Sequence, residues 1–101
     1  MTLSQAERAY FVRKAGGTQA PTKPLNQIKR EYFASFVGSG NATTPFGDLE
    51  TRWMLKVLDD AGVSTTNIEN GTLWHLMVIA AGKTPVKSIG QNQLTFYLHA
   101  A

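Results

Sequence analysis

The sequence of 101 residues predicts a mostly α-helical fold, a small bundle of about four short helices with an irregular or β-like C-terminal segment. Three observations predict it. A motif occurs twice, 22 residues apart; apolar residues recur at helical spacing along the predicted helices; and loops rich in glycine and small polar residues separate these segments. A repeat of this period makes each copy one helical unit that must pack on other copies.

The first two helices, predicted over residues 4–15 and 26–37, contain the two clear copies of the motif. The copies align as Leu3-Ser4-Gln5-Ala6-Glu7-Arg8-Ala9-Tyr10-Phe11 and Leu25-Asn26-Gln27-Ile28-Lys29-Arg30-Glu31-Tyr32-Phe33. Ser4 and Asn26 are predicted N-caps, because their side-chain oxygens can accept hydrogen bonds from the free N–H groups of a first helical turn. Gly16-Gly17 and Gly38 are predicted to end these helices.

The third and fourth helices are predicted over residues 47–61 and 71–81, with Asp48 as an N-cap and Gly62 and Gly82 at the ends. A shift of 21 residues places five apolar residues of the third helix on those of the second: Leu49, Trp53, Met54, Val57 and Leu58. The fourth is apolar nearly all round, which favours a central position. The aromatic and β-branched segment 93–98 predicts a last helical turn or a strand that pairs with a neighbouring chain.

These elements predict one domain over residues 1–101. Its repeat units span about 3–16, 25–38, 46–62 and 70–82, and a C-terminal segment covers 83–101. Helical spacing assigns eight residues to the core: Ile28, Tyr32, Phe36, Leu49, Trp53, Val57, Leu73 and Met77.

Composition limits the classes of function. Hydrophobic residues make up 43% of the chain and charged residues 17%, a balance typical of a globular protein. The chain has no cysteine, which excludes disulfides and thiolate chemistry and fits a protein assembled in the cytosol. No apolar run approaches the roughly 18 residues of a membrane span, and the start of the chain is too polar for a signal peptide. We therefore expect no membrane partner.

Charge is distributed unevenly along the chain. Residues 1–30 carry a net charge of +5, residues 31–75 a net charge of −4, and Lys83 and Lys87 supply the rest. A basic end and an acidic middle could dock one copy on another, the basic end could face nucleic acid, or the bias could belong to a solvated surface.

Four residues are predicted contact residues: Arg8, Arg30, Arg13 and Tyr97. Arg8 and Arg30 hold the same place in two copies, so we expect equivalent contacts, such as pairing with a carboxylate of a neighbouring unit. The aromatic pairs next to them could stack nucleic-acid bases, but the same rings occupy positions that must be buried in a helical bundle.

No catalytic, cofactor or metal site is predicted, and we expect a non-enzymatic protein. Asp48 and Glu50 are two residues apart on a helix, so their side chains point to different sides and cannot share a substrate. His75 on an apolar helix fits a core or interface residue, and His99 has no second ligand at metal spacing. No phosphate-binding glycine loop, nucleophile elbow or paired-histidine motif occurs.

The two motif copies, the segment Phe46-Gly47-Asp48-Leu49-Glu50 and the closing Phe96-Tyr97-Leu98 resemble small structural proteins of tailed bacteriophages. The resemblance implies a virion component assembled in the host cytoplasm: a capsid decoration, a neck or tail part, or a fibre adaptor. It implies copies of the chain and other virion proteins as partners. The third copy carries Thr51 where the arginine should be, which departs from the pattern.

On this interpretation the helices stack into a compact unit that assembles through self-complementary surfaces, and residues 38–45 and the C-terminal segment are the expected contact elements. Two alternatives stay open. One is a small basic nucleic-acid-binding module that uses residues 8–30, whose affinity should fall steeply with salt. The other is a binding protein that blocks a host factor.

Overall fold

The structure is a computed structural model that describes residues 2–14, 23–37, 44–65 and 73–100. These residues form five helices and no strand, which confirms the prediction of a mostly helical fold. The four predicted helices begin and end within two residues of those observed. No helix in these ranges combines the length and apolar character that crossing a lipid bilayer requires. The helices are α1 (Leu3–Lys14), α2 (Leu25–Val37), α3 (Phe46–Asp60), α4 (Leu73–Ala80) and α5 (Ile89–His99).

The fifth helix, α5, corrects the prediction of an irregular or β-like C-terminal segment. The Ser88 hydroxyl caps it by accepting a hydrogen bond from the Gln91 N–H at 3.2 Å. The buried Asn92 amide donates to the Val86 carbonyl at 2.8 Å and accepts from the Val86 N–H at 2.9 Å, which fixes the preceding loop. The aromatic residues that suggested a strand are buried in the core, so tertiary packing overrides their β propensity.

The helix starts also differ from the prediction, because the residues predicted as N-caps lie inside the first turns. In α1 the cap is Thr2, whose hydroxyl accepts from the Gln5 N–H while the Gln5 side chain accepts from the Thr2 N–H, a capping box. Pro24 and Pro45 precede α2 and α3, and their carbonyls accept the first helical hydrogen bonds. The corrected residues are Ser4, Asn26 and Asp48.

Glycine ends two helices as predicted. Gly62 and Gly82 follow α3 and α4 with φ angles of +73° and +78°, where a side chain would be strained. The N–H of Val63 bonds to the Leu58 carbonyl, and that of Lys83 to the Val78 carbonyl, which completes a Schellman motif at each end. The predicted stops at residues 16–17 and 38 lie outside the described residues.

The helices form a closed ring. Each helix packs on its neighbour along the chain, and α5 packs back on α1. The described chain measures 35 × 31 × 19 Å, and its shortest dimension is about the length of a helix of 12 or 13 residues. We infer a ring one helix deep, whose inner faces share one core.

That core is dominated by aromatic rings around Trp53, which is fully buried. The Trp53 ring stacks on Phe33 with a centroid distance of 5.0 Å and meets Phe11 at 5.4 Å and Phe96 at 6.0 Å. Five of the residues assigned to the core from sequence are buried: Ile28, Leu49, Trp53, Leu73 and Met77. The other three are partly buried and pack against it: Tyr32, Phe36 and Val57.

Candidate functional site

A buried lysine links the first three helices. Lys29 of α2 is 6% exposed, and its ammonium group donates hydrogen bonds to Glu7 of α1 and, at 3.1 Å, to Glu50 of α3. It also lies 5.4 Å from the centre of the Phe11 ring and 5.2 Å from that of Phe46. The three ionic residues each occupy the fifth position of their helix, so one position of the motif holds α1, α2 and α3 together.

The next motif position carries Arg8 and Arg30, and their contacts are equivalent. The Arg8 guanidinium donates to the Lys23 carbonyl at 2.9 Å, and the Arg30 guanidinium donates to the Thr44 carbonyl at 2.8 Å. Each acceptor lies two residues before the next helix. The contacts are therefore made within the chain, to backbone carbonyls and not to carboxylates. They fix how the chain enters α2 and α3. In α3 this position is Thr51, which has no guanidinium group.

We expect Arg8→Met and Arg30→Met each to lower the free energy of unfolding by about 1.5–3 kcal/mol, because each removes a charge-assisted hydrogen bond to a part-buried carbonyl. Urea denaturation measures the loss. Arg52→Met is the matched control: Arg52 is exposed on α3 and should change stability by less than about 0.5 kcal/mol. An equal loss in all three variants would contradict a specific role for the two contacts.

The remaining basic residues of the first 30 also contact their own chain. Arg13 donates to the Ala100 carbonyl at 3.2 Å, and its guanidinium lies 5.6 Å from the centre of the Tyr10 ring. The Lys14 ammonium lies 5.5 Å from the same ring. Lys23 pairs with Glu31 at 3.0 Å on the surface, where the pair lowers the pKa of Glu31. All six basic side chains of the predicted nucleic-acid face thus have intramolecular contacts.

Tyr97, predicted as an interface residue, lies in the core. It is 4% exposed, and its ring centre lies 5.3 Å from that of Tyr10 and 5.5 Å from that of Trp74. An interface contact would need an exposed ring, whereas the Tyr97 ring is enclosed by helices of its own chain. Burial raises the pKa of both tyrosines above the ordinary value of 10, and the charges of Glu7 and Glu50 raise that of Tyr97 further.

We expect the protein to lose stability at alkaline pH through these two phenols. Because the raised pKa values keep both neutral in the fold, the unfolded chain releases their protons first as the pH rises above 10. The free energy of unfolding should therefore fall by about 1.4 kcal/mol per pH unit for each tyrosine. Urea denaturation between pH 9 and about 11.5 measures this slope. Burial also raises the pKa of Tyr32, which adds to the decline, so Tyr97→Phe should show a smaller but not abolished decline. An unchanged slope in this variant would contradict the assignment.

A cleft of about 310 Å³ opens at the end of the ring opposite the starts of the helices. Four aromatic rings and several small residues line it, and Lys14 and Asp60 are its charged residues. Lys56 contacts the Asp60 carboxylate at 3.8 Å, and both side chains are largely exposed. The lining residues are Tyr10, Lys14, Tyr32, Phe36, Val57, Asp60, Ala61, Ala80, Ala81, Phe96 and Ala100.

The residues considered for catalysis or metal binding lie apart. Asp48 is exposed, whereas Glu50 faces Lys29, so the two carboxylates do not form a pair. His75 is exposed on α4 and not in the core, and His99 is exposed at the end of α5. Within the described ranges, no group of three histidine or acidic side chains lies close enough together to hold a metal ion.

Comparison with known proteins gives no match: neither a family model, nor a curated protein, nor a solved structure matches this chain.

Proposed function

We propose that this chain is a non-enzymatic structural protein of a tailed-bacteriophage particle, a capsid decoration, a neck or tail component or a fibre adaptor, that acts by self-assembly and docking. The motif resemblance supplies the class of protein. The observation that carries the proposal is the internal use of the basic N-terminal residues. Arg8, Lys29 and Arg30 join successive helices of one chain, which makes the charged motif positions a scaffold.

We further propose that α1, α2 and α3 are copies of one structural unit. The fourth residue of each helix is a buried apolar residue, and the fifth residues form the Glu7–Lys29–Glu50 cluster. The sixth residues of α1 and α2 are arginines that donate to a backbone carbonyl two residues before the next helix. Each such unit contacts the next through the same motif positions, which suits a small rigid part of a larger assembly.

The contact surface that we propose lies on α4, α5 and their loop. Among the described residues, four of the five exposed large hydrophobic side chains belong to this part of the chain: Ile79, Val86, Ile89 and Leu98. The fifth, Leu55, lies on α3, about one helical turn from the charged residues Arg52 and Asp59. Exposed apolar side chains are ordinary singly, but their concentration in one part of the chain favours a protein contact there.

Size-exclusion chromatography with light scattering, at two protein concentrations and at low and high salt, tests self-assembly. We expect a discrete ring, such as a trimer, pentamer or hexamer, that survives high salt. Ile89→Asp or Leu98→Asp should shift it towards monomer, whereas Leu55→Asp, a matched change at an exposed leucine, should not. A monomer under all conditions would contradict self-assembly.

The alternative is a nucleic-acid-binding module that uses residues 8–30. The same chromatography with added oligonucleotide tests it, because phosphate binding should weaken steeply between about 50 and 200 mM salt. Retention of the oligonucleotide at low salt by a strict monomer would favour this alternative over the structural role.

A further inference from the structure

The cleft lies where the C-terminal turns of all five helices meet. Each helix contributes a residue at or next to its last position to the lining: Lys14, Phe36, Asp60, Ala80 and Ala100. Each helix C-terminus acts as at most roughly half a negative charge, and the Schellman motifs occupy some of the last carbonyl groups of α3 and α4. Partial negative charge therefore gathers around this one opening.

The walls of the cleft suit an apolar stem that ends in a positive charge. Tyr32 and Phe36 are partly buried and present aromatic surface, which attracts cations at ring faces and packs against methylene groups, and the buried rings of Tyr10 and Phe96 lie behind them. Alanines at the ends of α3 and α4 leave room beside the rings. The volume of about 310 Å³ is at the small end of ligand sites, enough for one long side chain.

The chain's own cations already use this chemistry beside the cleft. The Arg13 guanidinium donates to the Ala100 carbonyl at the end of α5 and lies near the Tyr10 ring, and the Lys14 ammonium lies near the same ring. These contacts show that the local carbonyl groups and ring faces accept basic side chains.

The charges around the opening nearly cancel. Five helix C-termini and Asp60 together amount to at most about −3.5 charges, against +3 from Arg13, Lys14 and Lys56. The Lys56–Asp60 contact is largely exposed and therefore weak. A balance this close means that a single charge at the opening should change the affinity for a cation measurably.

We propose that this cleft binds a lysine or arginine side chain that protrudes from a partner protein. The aliphatic stem lies against Tyr32, Phe36 and Val57, and the charged head faces the helix carbonyls and the Asp60 carboxylate. The proposal does not depend on the virion role, because the cleft belongs to the folded single chain.

The test uses N-acetyl-arginine methylamide as the probe, titrated into the full-length ¹⁵N-labelled protein and followed by amide chemical shifts. We expect binding in the millimolar range, as for a ligand of this size, with the shifts centred on the lining residues. The matched control probe is N-acetyl-citrulline methylamide, which has the same shape without the charge and should bind several-fold more weakly. Equal shifts with both probes, or shifts centred elsewhere, would overturn the proposal.

Two substitutions at the opening should act in opposite directions. Asp60→Asn should weaken binding of the arginine probe by about two- to fivefold, and Lys14→Gln should strengthen it by a similar factor, because each changes one partly screened charge near the head group. Asp59→Asn and Lys87→Gln are the charge-matched controls outside the cleft lining and should leave the affinity unchanged. Equal effects of Asp59→Asn and Asp60→Asn would show that net charge, and not this site, governs binding.

Discussion

Lys29→Met should be among the most destabilising single substitutions in this chain, with an expected loss of about 3–5 kcal/mol in the free energy of unfolding. The methionine keeps the length of the side chain but removes its charge. Glu7 and Glu50, which now share the ammonium group, would then face each other in a part-buried site without a counter-charge. Their side chains are 18% and 29% exposed, so partial hydration places the loss near the lower end of the range.

Urea denaturation of a matched set of variants separates the charge from the packing. The triple variant Glu7→Gln, Lys29→Met, Glu50→Gln removes all three charges and should recover most of the stability, since an uncharged cluster carries no unpaired ion. If the triple variant is as unstable as Lys29→Met, the contribution of Lys29 comes from packing and not from the ion pairs.

The motif copies made α1 to α3 predictable. Apolar residues at helical spacing fix which face of each helix is buried, and Ile28, Leu49 and Trp53 lie where that spacing places them. Helix α5 could not be predicted in the same way, because the contacts that fix it join residues far apart in the sequence. Asn92 bonds the loop at Val86, and Tyr97 packs on residues of α1 and α4; neither contact follows from local propensity.

The sequence contains a signal for the ionic cluster. Glu7 and Lys29 are aligned in the two copies and carry opposite charges, and Glu50 follows at the shift of 21 residues that aligns the apolar sets. Opposite charges at equivalent positions of packed repeats predict contact between the copies. The sequence contains no such signal for the cleft. Its lining forms only because α5 packs on α1, which brings the ends of five helices together.

Trp53→Ala should have an effect comparable to that of Lys29→Met, for a different reason. The Trp53 ring touches aromatic rings of α1, α2, α4 and α5, so its removal leaves a cavity at the point where the inner faces of the ring of helices meet. A loss of about 3–5 kcal/mol is typical for such a truncation. A domain of this size has about 5–15 kcal/mol in total, so the variant should be marginally folded.

Trp53→Phe and Leu55→Ala, followed by near-ultraviolet circular dichroism and urea denaturation, give this prediction its controls. The Trp53 indole N–H is buried without an acceptor at hydrogen-bond geometry, although the Tyr32 hydroxyl interacts with the indole. Phenylalanine keeps an aromatic ring and removes that N–H, so its loss should be well below that of alanine. Leu55 is 39% exposed on the same helix, and its truncation should change stability by less than about 0.5 kcal/mol. If Trp53→Ala were no more destabilising than Leu55→Ala, the helices would not share one core around Trp53.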